Sequence, residues 1–246
     1  MQIIGRALRF IFSIYALLVF IGTFFIVFPC FFVVFNWWSK ETAPHVAHSI
    51  SRFWGKLLLY CFLIRVRVKN RNYIDPAATY VFVSNHQSQL DIIISAIACR
   101  NTFRFLAKAE LTKVPVIGYV IKRLYVPVER KSKTGRSRSV ENLHKSISDR
   151  ISVFIYPEGT RNKTNNPLLD FYDGAFRLAI ETRTPLAILV IKNSRSLLDP
   201  RKTMDLSPGF IDCHWLPPLD VSAYTIDKVN LLKDAVKALI LKELEK

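Results

Sequence analysis

The chain has 246 residues, enough for one domain of ordinary size and an accessory segment. Its 35 Lys and Arg against 19 Asp and Glu leave a formal charge of +16, while half of its residues are hydrophobic. That pairing argues against a nucleic-acid binder, in which basic residues gather in a recognition module, and for an enzyme or binding protein that meets anionic partners at a membrane. Cys30, Cys61, Cys99 and Cys213 show no paired spacing. They suggest neither a zinc site nor a disulfide frame and fit a reducing compartment.

In chain order, Arg6 and Arg9 precede an uncharged run from Phe10 to Phe35. As one helix it would measure about 39 Å, longer than the roughly 30 Å hydrocarbon core of a bilayer. Pro29 is expected to kink or end it, and Trp37 and Trp38 suit the headgroup layer. Val46 to Ile64 sets Ser49, Arg52 and Lys56 among Phe53, Trp54, Leu57 and Leu58, the pattern of a basic amphipathic helix lying in the interface. Arg6 and Arg9 favour a cytoplasmic N-terminus. A single span would carry the basic remainder across the membrane, so the expectation is a helical hairpin that dips in and returns. Residues 1–63 form this anchor and residues 64–246 an α/β domain.

Beyond the anchor, strands are predicted at Ile64–Lys69, Tyr80–Val83, Phe103–Leu106, Leu124–Val128, Val153–Tyr156, Leu186–Ile191 and Gly209–Trp215. Between them, helical spacing appears at Ile92–Cys99, Pro115–Lys122, Val140–Ile151 and Asp173–Thr182, and a closing amphipathic helix runs through Val229, Leu232, Val236 and Ile240. The alternation predicts a mixed, largely parallel sheet flanked by helices. Lys131 to Arg138, basic and Ser-rich, reads as a solvated loop.

Two stretches carry chemistry. In Ser84-Asn85-His86-Gln87-Ser88-Gln89-Leu90-Asp91, His86 sits on a strand-to-helix turn at the carboxyl end of a strand, where side chains can enter a cleft. Five residues along a continuous helix turn by about 140°, so His86 and Asp91 can meet only if His86 precedes the helix and Asp91 lies in its first turns. The carboxylate would then hold one imidazole nitrogen and leave the other free to take a proton from a substrate hydroxyl. The same residues also suit a turn histidine satisfied by backbone. In Glu158-Gly159-Thr160-Arg161, Gly159 allows a positive φ, Thr160 and the turn amides can donate to an anion, and Arg161 can bind phosphate with two parallel bonds. An ordinary turn with a solvated arginine fits too. Lys108 and Arg130 follow strands at the same predicted edge, and three cations beside a candidate base suggest an anionic substrate.

Taken together, Asn85-His86-Gln87-Ser88-Gln89-Leu90-Asp91 and Tyr156-Pro157-Glu158-Gly159-Thr160-Arg161 resemble the His-x4-Asp and Phe-Pro-Glu-Gly-Thr-Arg motifs of the glycerolipid acyltransferases. Lys108-Ala109-Glu110-Leu111 and Val126-Pro127-Val128-Glu129-Arg130 are similar to segments between those motifs, over about residues 45 to 220. The bacterial 1-acyl-sn-glycerol-3-phosphate acyltransferases are the closest subgroup in pattern. The resemblance implies transfer of an acyl group from acyl-CoA or acyl carrier protein to the sn-2 hydroxyl of a lysophosphatidic acid, with no cofactor and no metal. It implies His86 as general base and Asp91 as its orienter. Glu158, Gly159, Thr160, Arg161, Arg130 and Lys108 would hold the acceptor. It also implies membrane lipids as partners, no nucleic acid, and a catalytic domain on the cytoplasmic face of a bacterial inner membrane. Leu124, Pro127, Tyr172 and Ile188 depart from the family pattern, which bears on the acceptor and donor more than on the reaction. The alternatives are another lysolipid as acceptor, or an inert membrane protein that binds anionic lipid.

Overall fold

A computed structural model describes residues 2–129 and 133–246. Two helices open the chain, α1 (Gln2–Trp37) and α2 (Ala43–Cys61). The strands are β1 (Ile64–Lys69), β2 (Val81–Ser84), β3 (Phe103–Lys108), β4 (Val126–Val128), β5 (Ser152–Ile155), β6 (Leu186–Lys192) and β7 (Gly209–Trp215). The remaining helices are α3 (Leu90–Ala98), α4 (Ile117–Leu124), α5 (Lys133–Ser148), α6 (Gly174–Thr182), α7 (Ser194–Leu197) and α8 (Val229–Leu244).

All seven strands join one sheet in the order β1-β7-β6-β2-β5-β3-β4. β2 lies between β5 and β6 and is parallel to both. β7 alone runs antiparallel to its neighbour β6, and it carries β1 with it. The predicted mixed, largely parallel sheet is therefore the one observed. Because β2 and β5 are parallel neighbours, the turns that follow them emerge side by side at one sheet edge.

The alternation of the central strands separates two cores. Phe82, Phe103, Phe105 and Phe154 point to the face covered by α1, α2 and α3. Val81, Val83, Val153 and Ile155 point to the face covered by α6 and α8. Aromatic side chains thus meet on one side, with the Phe154 ring 5.3 Å from Phe103 and 5.2 Å from Phe105. Such pairs add about 0.5–1.5 kcal/mol each beyond the area they bury.

α1 and α2 form a hairpin. Tyr15 Oη donates to the Cys61 carbonyl at 3.3 Å, and Trp54 Nε1 to Thr23 Oγ1 at 2.9 Å. Ala16 and Leu58 belong to the same core as the sheet, so the hairpin completes one face of the α/β unit. Of the two outcomes expected at Pro29, a kink or an end, the second does not occur: α1 is helical on both sides of it. The helix is held from both flanks, and packing of this kind outweighs the loss of one helical bond at a proline. The reading of Lys131–Arg138 as a loop is likewise corrected over its described part, because α5 begins at Lys133. Ser139 supplies the reason: its hydroxyl bonds the carbonyls of Gly135 and Pro127, tying an otherwise polar first turn to β4.

Where the β2–β6 ladder ends at Ser84 opposite Leu189, a side chain adds the next rung. Asn85, fully buried, donates through Nδ2 to the Ile191 carbonyl and accepts from the Ile191 amide, both at 2.8 Å. Replacing Asn85 with alanine strands two buried backbone groups and is expected to lower stability by about 2–4 kcal/mol. A denaturant melt checks this; a loss below about 0.5 kcal/mol would show that the amide does not hold the strand end.

Candidate active site

The turn after β2 delivers His86, and α3 starts four residues later, so Asp91 falls in the first turn of that helix. This is the one arrangement in which the two can meet, and they do. His86 Nδ1 lies 2.9 Å from Asp91 Oδ2. The same carboxylate oxygen accepts the Gln87 and Ser88 amides, both at 2.7 Å. Asp91 is fully buried, and these donors together with the helix N-terminus offset the cost of a carboxylate removed from water. With Nδ1 committed, His86 Nε2 makes no bond to any described residue, and the ring keeps partial access to solvent.

The second motif grips the first through the main chain. The His86 amide donates to Glu158 Oε1 at 2.7 Å, and the Asn162 amide donates to the His86 carbonyl at 2.7 Å. Glu158 Oε2 accepts the Leu169 amide at 2.9 Å. Direct substrate contact, expected of Glu158, is therefore not what its geometry provides: it is buried, and both oxygens are taken by backbone. It positions His86. Burial, with the Asp91 charge adding to it, pushes the Glu158 carboxyl up to about 7 against the hydrogen bonds that favour ionisation.

Gly159 closes the turn, its amide donating to the Tyr156 carbonyl at 2.9 Å. Its φ is +67°, and a Cβ there would stand 2.8 Å from the Tyr172 ring, so no other residue fits without displacement. Thr160 and Lys108 are exposed, and Arg161 is partly so. Among the described residues neither Lys108 nor Arg161 has a hydrogen bond or an ion pair. Phe105 sits opposite Phe154 in the sheet, so Lys108, three residues on, leaves its strand level with Pro157. Two uncompensated cations thus stand at the edge that holds His86. Arg130 lies outside the described residues. No group of three or more metal-ligating side chains occurs among those described.

Two residues escaped the sequence reading. Tyr156 stacks on His86, with centroids 4.1 Å apart and planes 18° from parallel, and its hydroxyl bonds Ser95 on α3 at 2.9 Å. Arg195, on α7, bonds the carbonyls of Asn162 and Thr164 and so braces the loop after Arg161. A tyrosine beside the Pro-Glu-Gly turn was visible as an aromatic. Nothing local marks Arg195, which acts across 33 residues of chain.

The sequence model of the acyltransferase family matches residues 65–192, just over half the chain, and includes His86, Asp91, Lys108 and the Glu158–Arg161 turn. The chain belongs to the acyltransferase family. The mouse 1-acyl-sn-glycerol-3-phosphate acyltransferase alpha is 31% identical over 180 residues, 72% of this chain. The chain spans less than two thirds of that relative, 63% of its length. The 1-acyl-sn-glycerol-3-phosphate acyltransferase of Haemophilus influenzae is 26% identical over 193 residues, covering 76% of this chain and 77% of that one. The crystal structure of the 1-acyl-sn-glycerophosphate acyltransferase PlsC from Thermotoga maritima shares the fold. Its TM-score is 0.79 at 22% identity, over 100% of this chain and 97% of that one.

Glu158 gives the acyltransferase fold a testable pH dependence. Its folded value near 7 lies above the ordinary 4.5, so the folded state keeps a proton that the unfolded chain releases. Its contribution to stability is complete below pH 4.5 and is lost as the pH rises through about 7. Melting temperatures of the wild type should fall over that window relative to Glu158→Gln; parallel curves would contradict the assignment.

Proposed function

We propose that this chain transfers an acyl group from an acyl thioester to the sn-2 hydroxyl of 1-acyl-sn-glycerol-3-phosphate, forming phosphatidic acid. The observation that carries the reading is the His86–Asp91 pair with Nε2 unoccupied, beside the uncompensated cations Lys108 and Arg161. His86 Nε2 takes the hydroxyl proton. The oxygen attacks the thioester carbonyl, and the tetrahedral intermediate collapses by expelling the thiolate. The imidazolium then returns its proton to the sulfur, so the enzyme ends as it began. Asp91 holds the ring in the tautomer that presents Nε2 and favours the imidazolium formed in passing. The acyl thioester, on coenzyme A or on acyl carrier protein, is the co-substrate, and the scheme requires no other cofactor.

Arg161 and Lys108 hold the acceptor phosphate in this scheme, with the Thr160 hydroxyl donating a hydrogen bond and Gly159 shaping the turn that presents it. Names of the relatives support the same acceptor. The hairpin supports work at a membrane. α1 is long and apolar enough to cross a bilayer from Gly5 to Trp37, and few of those residues are buried. Yet it touches the α/β unit near both ends, through Arg9 to Asp205 at 3.2 Å and through Asn36 Nδ2 to Tyr119 Oη at 2.7 Å. Those residues are about 40 Å apart along the helix. A helix bound to the domain over that length lies along it, with Ile11, Leu18, Phe25 and Ile26 outermost, and fits immersion in one leaflet.

His86→Ala is expected to cut turnover by roughly 10²–10⁴-fold in a thiol-release assay, in protein that still folds. Activity within a few-fold of wild type would sink the mechanism. Arg161→Ala should raise the acceptor KM about tenfold or more and leave the donor KM nearly unaltered, as expected for loss of a charge-assisted phosphate contact. Loss confined to the donor KM would assign the cation to the thioester's carrier instead.

A further inference from the structure

The opposite edge of the sheet carries a second basic cleft, of about 350 Å³. Its walls come from α2, from the segment after β1 and from the amino ends of β3 and β5. Arg52, Arg100 and Arg150 line it, with His45, Ser49 and Thr102, and no carboxylate does. None of the three arginines has an ion pair among the described residues. The acids nearest in sequence are Asp75 and Asp149. Asp75 Oδ1 is occupied by the Ala77 amide, and neither acid lines the cleft.

The cleft is shaped by specific bonds. Arg52 donates to the Arg100 carbonyl at 2.6 Å and to Ser49 Oγ at 3.1 Å, which fixes its guanidinium at the wall. Thr102 Oγ1 bonds His45 Nδ1 at 2.8 Å. Nearby Arg71, partly buried, is held below the ordinary guanidinium range first by burial and then by the Arg100 charge. Like charges gathered without a counter-charge repel one another, and an oxyanion relieves that repulsion while using the guanidinium forks and hydroxyl donors.

We propose that this cleft is an anion site, distinct from the acyl-transfer site, that takes a phosphate group. His45, Ser49 and Arg52 recur at helical spacing on one side of α2, and Phe53 and Tyr60, 69% and 80% exposed, continue that side toward α1. A phosphate borne by an anionic lipid headgroup therefore meets the cleft where the apolar surface ends. His86 lies at the other end of β2, roughly 20 Å away at about 3.3 Å per residue, so one headgroup does not serve both sites.

The test compares the double variant Arg100→Gln/Arg150→Gln with Lys228→Gln/Lys242→Gln, an equal loss of charge at exposed positions remote from the cleft. One arm measures inorganic phosphate binding by ³¹P line broadening. The other measures flotation, at one ionic strength, with phosphatidylcholine vesicles with and without phosphatidylglycerol. Both arginines are exposed, so unchanged melting temperatures are expected, and single Arg100→Gln serves if the double variant melts early. The cleft variant should lose affinity by about fivefold or more while the control stays within twofold. Loss in the vesicle arm identifies a lipid headgroup, and loss in the phosphate arm alone identifies a soluble phosphate. No loss in either arm, or an equal loss in the control, overturns the site.

Discussion

One buried carboxylate organises the site. Asp91 has no access to water, and a carboxylate so placed needs hydrogen-bond donors to offset the hydration it loses. Three converge on a single oxygen: the His86 ring and the amides of Gln87 and Ser88. The two amides force the chain to turn sharply between β2 and α3, and the turn places His86 where its ring can reach the same oxygen. Removing that charge would free the turn and the imidazole together. The orientation of the His86 ring and the local fold are one interaction.

Everything else in the site is arranged around that turn. Parallel pairing of β2 with β5 brings Glu158 and Asn162 against the main chain of His86, so two motifs 72 residues apart lock one backbone unit from both sides. The aromatic face of the sheet continues the support: Phe154 meets Tyr156, and Tyr156 stacks on the imidazole. α1 and α2 cover that same face, with Ala16, Leu58 and Leu59 in the core that holds Phe82 and Phe154. Joined to the core in this way, the hairpin is fixed relative to the sheet edge that carries His86.

Much of this was legible in the residues. Short apolar runs such as Val81-Phe82-Val83 and Val153-Phe154-Ile155 mark strands buried on both faces, and each of the seven strands overlaps a predicted segment, although β4 starts only at Val126 because Leu124 ends α4. His86 and Asp91 were restricted to one geometry by helix rotation alone, and that geometry is present. What misled was composition without tertiary context. Lys133 to Arg138 is polar enough to read as loop, but the Ser139 hydroxyl ties the turn to Pro127 and the helix extends backward. Pro29 reads as a kink or an end, but partners on both flanks carry α1 on as helix beyond it. The family resemblance puts Glu158 among the residues that hold the acceptor, whereas here its carboxyl oxygens face the His86 and Leu169 amides. Arg195 left no local trace, since its task is defined by carbonyls 31 and 33 residues away.

In the proposed mechanism Asp91 acts through His86, orienting the base rather than binding substrate. Steady-state kinetics of Asp91→Asn, measured for both substrates alongside a thermal melt, address it most directly. The substitution keeps the shape of the side chain but presents an amide where three donors expect a carboxylate. Action through His86 predicts a fall in kcat of roughly 10²-fold or more with both KM values within a few-fold of wild type in protein that remains folded. An unchanged kcat with a raised acceptor KM would contradict it and place Asp91 among the binding groups instead.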